Sequence, residues 1–155
     1  MMDKMTTALH QTESSLHSTA HGLFHTALCA VGDAALAGRA AADAFVDAVN
    51  RIPDTSDAGL FRMRCYSLLY RYCKKIPELH DYPRGRISDT AEYNRHSGGR
   101  KRLSEILARM SFDERFIILL FCLEKYSVRQ IAKITRLPGF IVEKRLNAAV
   151  KKAMR

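Results

Sequence analysis

Phe140, Glu143, Lys144, Asn147 and Ala148 are spaced so that a helix would gather them on one face. Their chemistry suits the edges of DNA bases. A lysine donates to the acceptors of guanine, an asparagine pairs with adenine, and a glutamate accepts from the cytosine amino group. Lys151 and Lys152 follow on the same stretch, and Arg129 and Lys133 precede it. Cations so placed suit backbone phosphates, which hold a protein on DNA without reading its sequence.

Such a face needs a helix fixed from behind and a second helix to brace it. Ser127 with Gln130 makes a capping box that starts the bracing helix, and Ile131 and Ile134 face one side of it. Ala132 is small where a crossing helix must come close. Pro138 suits the start of the next helix, where its missing N–H costs nothing. Val142, Leu146 and Ala149 or Val150 then recur at helical spacing as the anchoring side. The pattern predicts a helix-turn-helix, a shape that a DNA major groove accepts.

Charge points the same way. Residues 100–155 carry 14 basic against 5 acidic residues, a surplus equal to the net +9 of the whole chain. Residues 1–60 carry 3 basic and 7 acidic residues, and residues 61–99 carry 8 and 4. A basic C-terminal part beside an acidic N-terminal part implies two partners, one of them polyanionic.

The coarse reading is all-α, as two small helical domains joined by a flexible linker. Residues 5–30 read as one helix or a pair, with Leu16, Leu23, Phe24 and Leu28 inward, broken at Gly32-Asp33. Residues 34–51 follow, with Leu36, Ala40, Phe45, Ala48 and Val49 inward. Residues 52–57 read as a turn and 58–75 as a helix whose core would be Leu60, Met63, Leu68, Leu69 and Tyr72. The proline- and glycine-marked stretch 77–99 reads as the linker between domains 1–76 and 100–155. Ser111 and Glu114 form a second capping box, before a helix that faces Phe112, Phe116, Leu119, Leu120 and Leu123 to the core.

Residues 103–152 resemble, without a gap, the promoter-binding domain of bacterial sigma factors of the extracytoplasmic-function type. The landmarks are Met110-Ser-Phe-Asp-Glu-Arg-Phe-Ile-Ile-Leu-Leu120, Ser127, Ile131-Ala132, Leu137-Pro138, Val142 and Arg145-Leu146. Arg136 stands where that family has a turn glycine, so the turn must tolerate a side chain there. Phe140-Ile141 replaces the family's glycine-threonine pair. The N-terminal half is similar to the family's core-binding domain through Gly32-Asp33, the acidic helix with Phe45, and the basic-aromatic stretch from Phe61 to Tyr70. The resemblance implies that Asp43, Phe45 and Asp47 dock on core RNA polymerase. It also implies that Arg62, Arg64, Tyr66, Tyr70 and Arg71 hold single-stranded promoter DNA, cations on phosphates and rings on bases. Arg64 occupies the place of a common tryptophan. On this resemblance the partners are promoter DNA, core RNA polymerase and, as an open option, an anti-sigma protein.

Other classes find less support. There is no glycine-rich phosphate loop, nucleophile elbow or zinc-protease helix, so no enzyme is expected. Cys29, Cys65, Cys73 and Cys122 lack metal-ligand spacing and read as core residues in a reducing cytoplasm. His17, His21 and His25 recur every fourth residue, but no metal or other cofactor is expected. The longest apolar run, Phe116 to Leu123, is too short to span a bilayer, and no membrane partner is expected. Around His10, Glu13, His17 and His21 the apolar core of a signal peptide is missing. A stand-alone helix-turn-helix regulator and a sigma-like adaptor that does not open promoters remain as alternatives.

Overall fold

Seven helices account for the regular structure among the described residues of the computed structural model, which are 2–51, 57–76 and 97–155; the side chains of 2–3 and 97–102 lie outside that description. Helix α1, Met2–Val31, is a single helix rather than a pair. Gly32 ends it with φ 78°, a left-handed conformation that glycine adopts without steric cost. Asp33 then caps α2, Ala34–Arg51, its carboxylate accepting from the Leu36 N–H at 2.9 Å.

The inward face of α2 is a row of alanines: Ala37, Ala40, Ala41, Ala44 and Ala48 are all buried. Small side chains let α1 and α3 approach α2 closely. Consequently Leu36 and Phe45 are only half-buried, and Val49 faces solvent rather than the core. Helix α3, Ala58–Lys74, starts at Asp57, whose carboxylate accepts from the Leu60 N–H at 3.0 Å. The rest of the expected turn, 52–56, lies outside the described residues.

Helices α1, α2 and α3 pack as a three-helix bundle. The C-terminal region adds α4 (Ser97–Ala108), α5 (Phe112–Cys122), α6 (Val128–Thr135) and α7 (Gly139–Ala153). Of the expected linker, 77–96 lies outside the described residues, and Ser97 to Gly99 already belong to α4. Both capping boxes form: Ser111 with Glu114 starts α5, and Ser127 with Gln130 starts α6. Arg136 closes α6 with φ 58°, so the turn does carry a side chain in left-handed backbone.

The two helical regions lie against each other, with α5 on α1 and α6 on α3. This explains the buried set of α5. Phe116, Ile117, Leu119 and Leu120 are all buried because the helix is covered by α1 on one side and α7 on the other. Each fully buried side chain of this kind contributes about 1.5–3 kcal/mol. Leu123 lies beyond the last helical turn and is exposed, and Cys122 is exposed too, while Cys29, Cys65 and Cys73 are buried.

A buried arginine pins the junction. Arg115 Nε donates to the Ala30 carbonyl at 2.9 Å, and Nη1 donates to the Met110 carbonyl at 2.7 Å. Ala30 belongs to the last turn of α1, where helix carbonyls lack partners of their own. One side chain thus closes the end of α1 and the approach to α5.

Candidate nucleic-acid interface

Val142, Leu146 and Ala149 are buried and hold α7 down, leaving Val150 outside. On the opposite side Phe140 is 70% exposed, and Glu143, Lys144 and Asn147 are exposed; Ala148 is half-buried. The sequence placed all five on one face, and the helix presents that face to solvent. An open groove of about 620 Å³ runs between α6 and α7, lined by Arg129, Ala132 and Lys133 on one side and Gly139, Phe140 and Glu143 on the other. Ala132 sits in its wall, where a larger side chain would fill it.

The expected phosphate contacts divide. Arg129, Lys133 and Lys151 are exposed. Lys152 is not free: its ammonium lies 2.7 Å from the Glu114 carboxylate, tying the end of α7 to the start of α5. Arg145 similarly lies 3.5 Å from Asp113.

On α3 the expected single-strand surface divides more sharply. Arg64 and Arg71 are exposed, whereas Tyr66 is 0% and Tyr70 4% exposed. In this arrangement neither ring can stack on a base. Tyr66 meets Tyr126 edge-on at 5.8 Å. Tyr70 stacks on Phe112 at 5.8 Å and meets Phe116 edge-on at 5.2 Å. The Tyr70 hydroxyl donates to Asp113 at 2.7 Å and accepts from Lys74 at 2.9 Å. Burial raises the Tyr66, Tyr70 and Tyr126 phenols above their ordinary values. Arg62 is half-buried and bonded to Glu124, which follows α5.

Sequence reasoning missed this polar seam. Glu124, Asp113 and Tyr126 are distant in sequence from the α3 residues they meet, and no local pattern links them. Gly22 belongs to the same junction. A Cβ there would lie 2.7 Å from the Tyr66 hydroxyl, so glycine permits the close approach of α1 to α3.

On α2, Asp43 is exposed and Asp47 half-buried. Asp47 accepts from the Tyr72 hydroxyl at 2.5 Å and from Arg51 Nε at 2.8 Å. The Tyr72 hydrogen bond, then that of Arg51, holds its carboxyl below the usual range. Phe45 packs edge-on against Phe61, with ring centres 5.8 Å apart, and is less prominent than expected. The exposed apolar residue of that face is Val46, 56% exposed between Asp43 and Asp47. Its position three after Asp43 was the available signal.

His21 and His25 bring ring nitrogens to 3.0 Å. Partial burial first, and then His21, lowers the His25 value, against a smaller upward pull from Glu124. No group of three metal-ligating side chains occurs among the described residues. No helix among them is long and apolar enough to cross a membrane.

No protein-family model, curated protein or solved structure matches the chain.

Proposed function

We propose that the protein is a transcription initiation factor of the sigma type, working in the cytoplasm with core RNA polymerase and promoter DNA. The carrying observation is the exposed face of α7 beside the α6 groove, with Phe140, Glu143, Lys144 and Asn147 on a helix anchored from behind. Laid in a major groove, that face brings an amide, an ammonium and a carboxylate to base edges, while Arg129, Lys133 and Lys151 flank the backbone. Asp43, Val46 and Asp47 offer an acidic face with an apolar centre, suited to a basic groove on polymerase. The test is co-purification with core RNA polymerase, followed by transcription from a promoter library. A shared upstream motif in the selected promoters supports the reading; polymerase binding without promoter selection overturns it.

Burial of Tyr66 and Tyr70 favours a second reading, a DNA-binding regulator or adaptor that does not open the duplex. Under the first reading α3 must part from α5 before its rings can take unpaired bases. Permanganate footprinting of polymerase complexes separates the two. Reactive thymines require the opened form, and their absence with firm DNA binding favours the regulator.

A further inference from the structure

A second cleft, between α3 and α6, has a different character from the groove on α7. Its apolar lining is Leu60, Met63 and Ile134, and its volume is about 230 Å³. Arg64 of α3, Lys133 of α6 and Arg136 of the turn stand round it, with the Ser67 hydroxyl. No carboxylate lines it. None of these three cations pairs with a carboxylate among the described residues. Other cations near the junction are matched: Arg62 by Glu124, Lys74 and Arg145 by Asp113, and Lys152 by Glu114.

We propose that this cleft is a phosphate-binding site in which Arg64, Lys133 and Arg136 donate to one phosphate group. Like charges gathered on a partly apolar lining raise the free energy of the empty cleft, and a bound anion relieves that repulsion. Two guanidinium forks match phosphate oxygens in pairs, with the lysine as a point charge between them. Arg136 sits at φ 58°, where a glycine or asparagine would be easier, and its side chain lines the cleft.

Lys133 also lines the α6–α7 groove. A phosphodiester strand leaving that groove would therefore reach the cleft next. The phosphate comes either from this DNA backbone, in which case the inference rests on the reading above, or from a free phosphorylated molecule. Ligand binding would bridge α3 and α6, and so favour the arrangement in which the two regions touch.

The experiment uses the whole chain as wild type, Arg64→Gln and Arg136→Asn, with circular dichroism and urea midpoints as folding controls. Asparagine keeps the left-handed turn accessible. In one arm a labelled duplex is titrated across salt concentrations. In the other, pyrophosphate is titrated by calorimetry. If the source is DNA, each variant lowers the salt slope of duplex binding by about 0.9. If the source is a free phosphorylated molecule, each variant weakens pyrophosphate binding at least about tenfold and leaves the duplex slope unchanged. Folded variants that change neither overturn the proposal. Should wild type bind no duplex at all, the DNA-reading function fails while the pyrophosphate arm still decides the cleft.

Discussion

Helices α3 and α7 carry related chemistry: cations, an apolar stripe and ring side chains, four on α3 and Phe140 alone on α7. They put it to opposite uses. α7 buries only Val142, Leu146 and Ala149 and keeps its polar face in water. α3 packs against α1, α2 and α6, and its aromatic face becomes part of the core against α5. A basic-aromatic pattern therefore identifies what a helix can touch, but not whether anything else already touches it. Whether the face is free depends on the neighbouring helix.

Four substitutions test this contrast, beginning with the largest effect. Phe116 is fully buried between Tyr70 and Phe112. Phe116→Ala should cost about 3–5 kcal/mol in urea denaturation. The two helical regions should still unfold in one transition; two separate transitions would show that the α3 face is not tied to α5 as described. Arg115→Met comes next. It removes charged hydrogen bonds from the Ala30 and Met110 carbonyls and leaves both without that donor, at a cost of about 3 kcal/mol. A change below about 0.5 kcal/mol would mean that the junction does not depend on this side chain.

Asn147→Ala probes the free face. Stability should stay within about 0.5 kcal/mol, while affinity for the best duplex falls by about 1–3 kcal/mol and preference relaxes at one base pair. The reverse outcome, lost stability with unchanged binding, would make α7 another packing helix.

The smallest effect concerns Asp47. Its carboxyl is held low chiefly by the Tyr72 hydrogen bond, so Tyr72→Phe should raise its value in a carboxyl NMR titration. A depressed carboxylate contributes stability that is present above its unfolded value of about 3.9 and is lost as pH falls through the lower folded value. The variant should accordingly lose less stability than wild type in that acid window.

What was legible in the sequence was local. Ser111 with Glu114 and Ser127 with Gln130 are cap and partner three residues apart, so their boxes could be read directly. Gly32-Asp33 likewise announced both the end of α1 and the start of α2. Ile131, Ile134, Val142 and Leu146 showed their anchoring side by spacing alone. The errors fall where distant elements decide. Leu60 was expected inside, but near the start of α3 it remains exposed. Tyr66 and Tyr70 were expected outside, yet α5 and the turn after it cover them from more than forty positions away. The exposure of Phe140, Glu143, Lys144 and Asn147 was legible because the anchoring residues of α7 lie on its opposite side.

Arg115 also sets an order of events in synthesis. Its partner Ala30 precedes it by 85 positions. At translation speeds of about 5–20 residues per second, the α1 carbonyl leaves the ribosome roughly 4–17 s before its donor. During that interval the α1–α3 bundle can assemble, but the Ala30 carbonyl is without its arginine donor. The aromatic side of α3 waits with it, uncovered until Phe112 and Phe116 arrive. A chaperone or a ligand that met the nascent chain in those seconds would find a surface that the finished protein no longer displays.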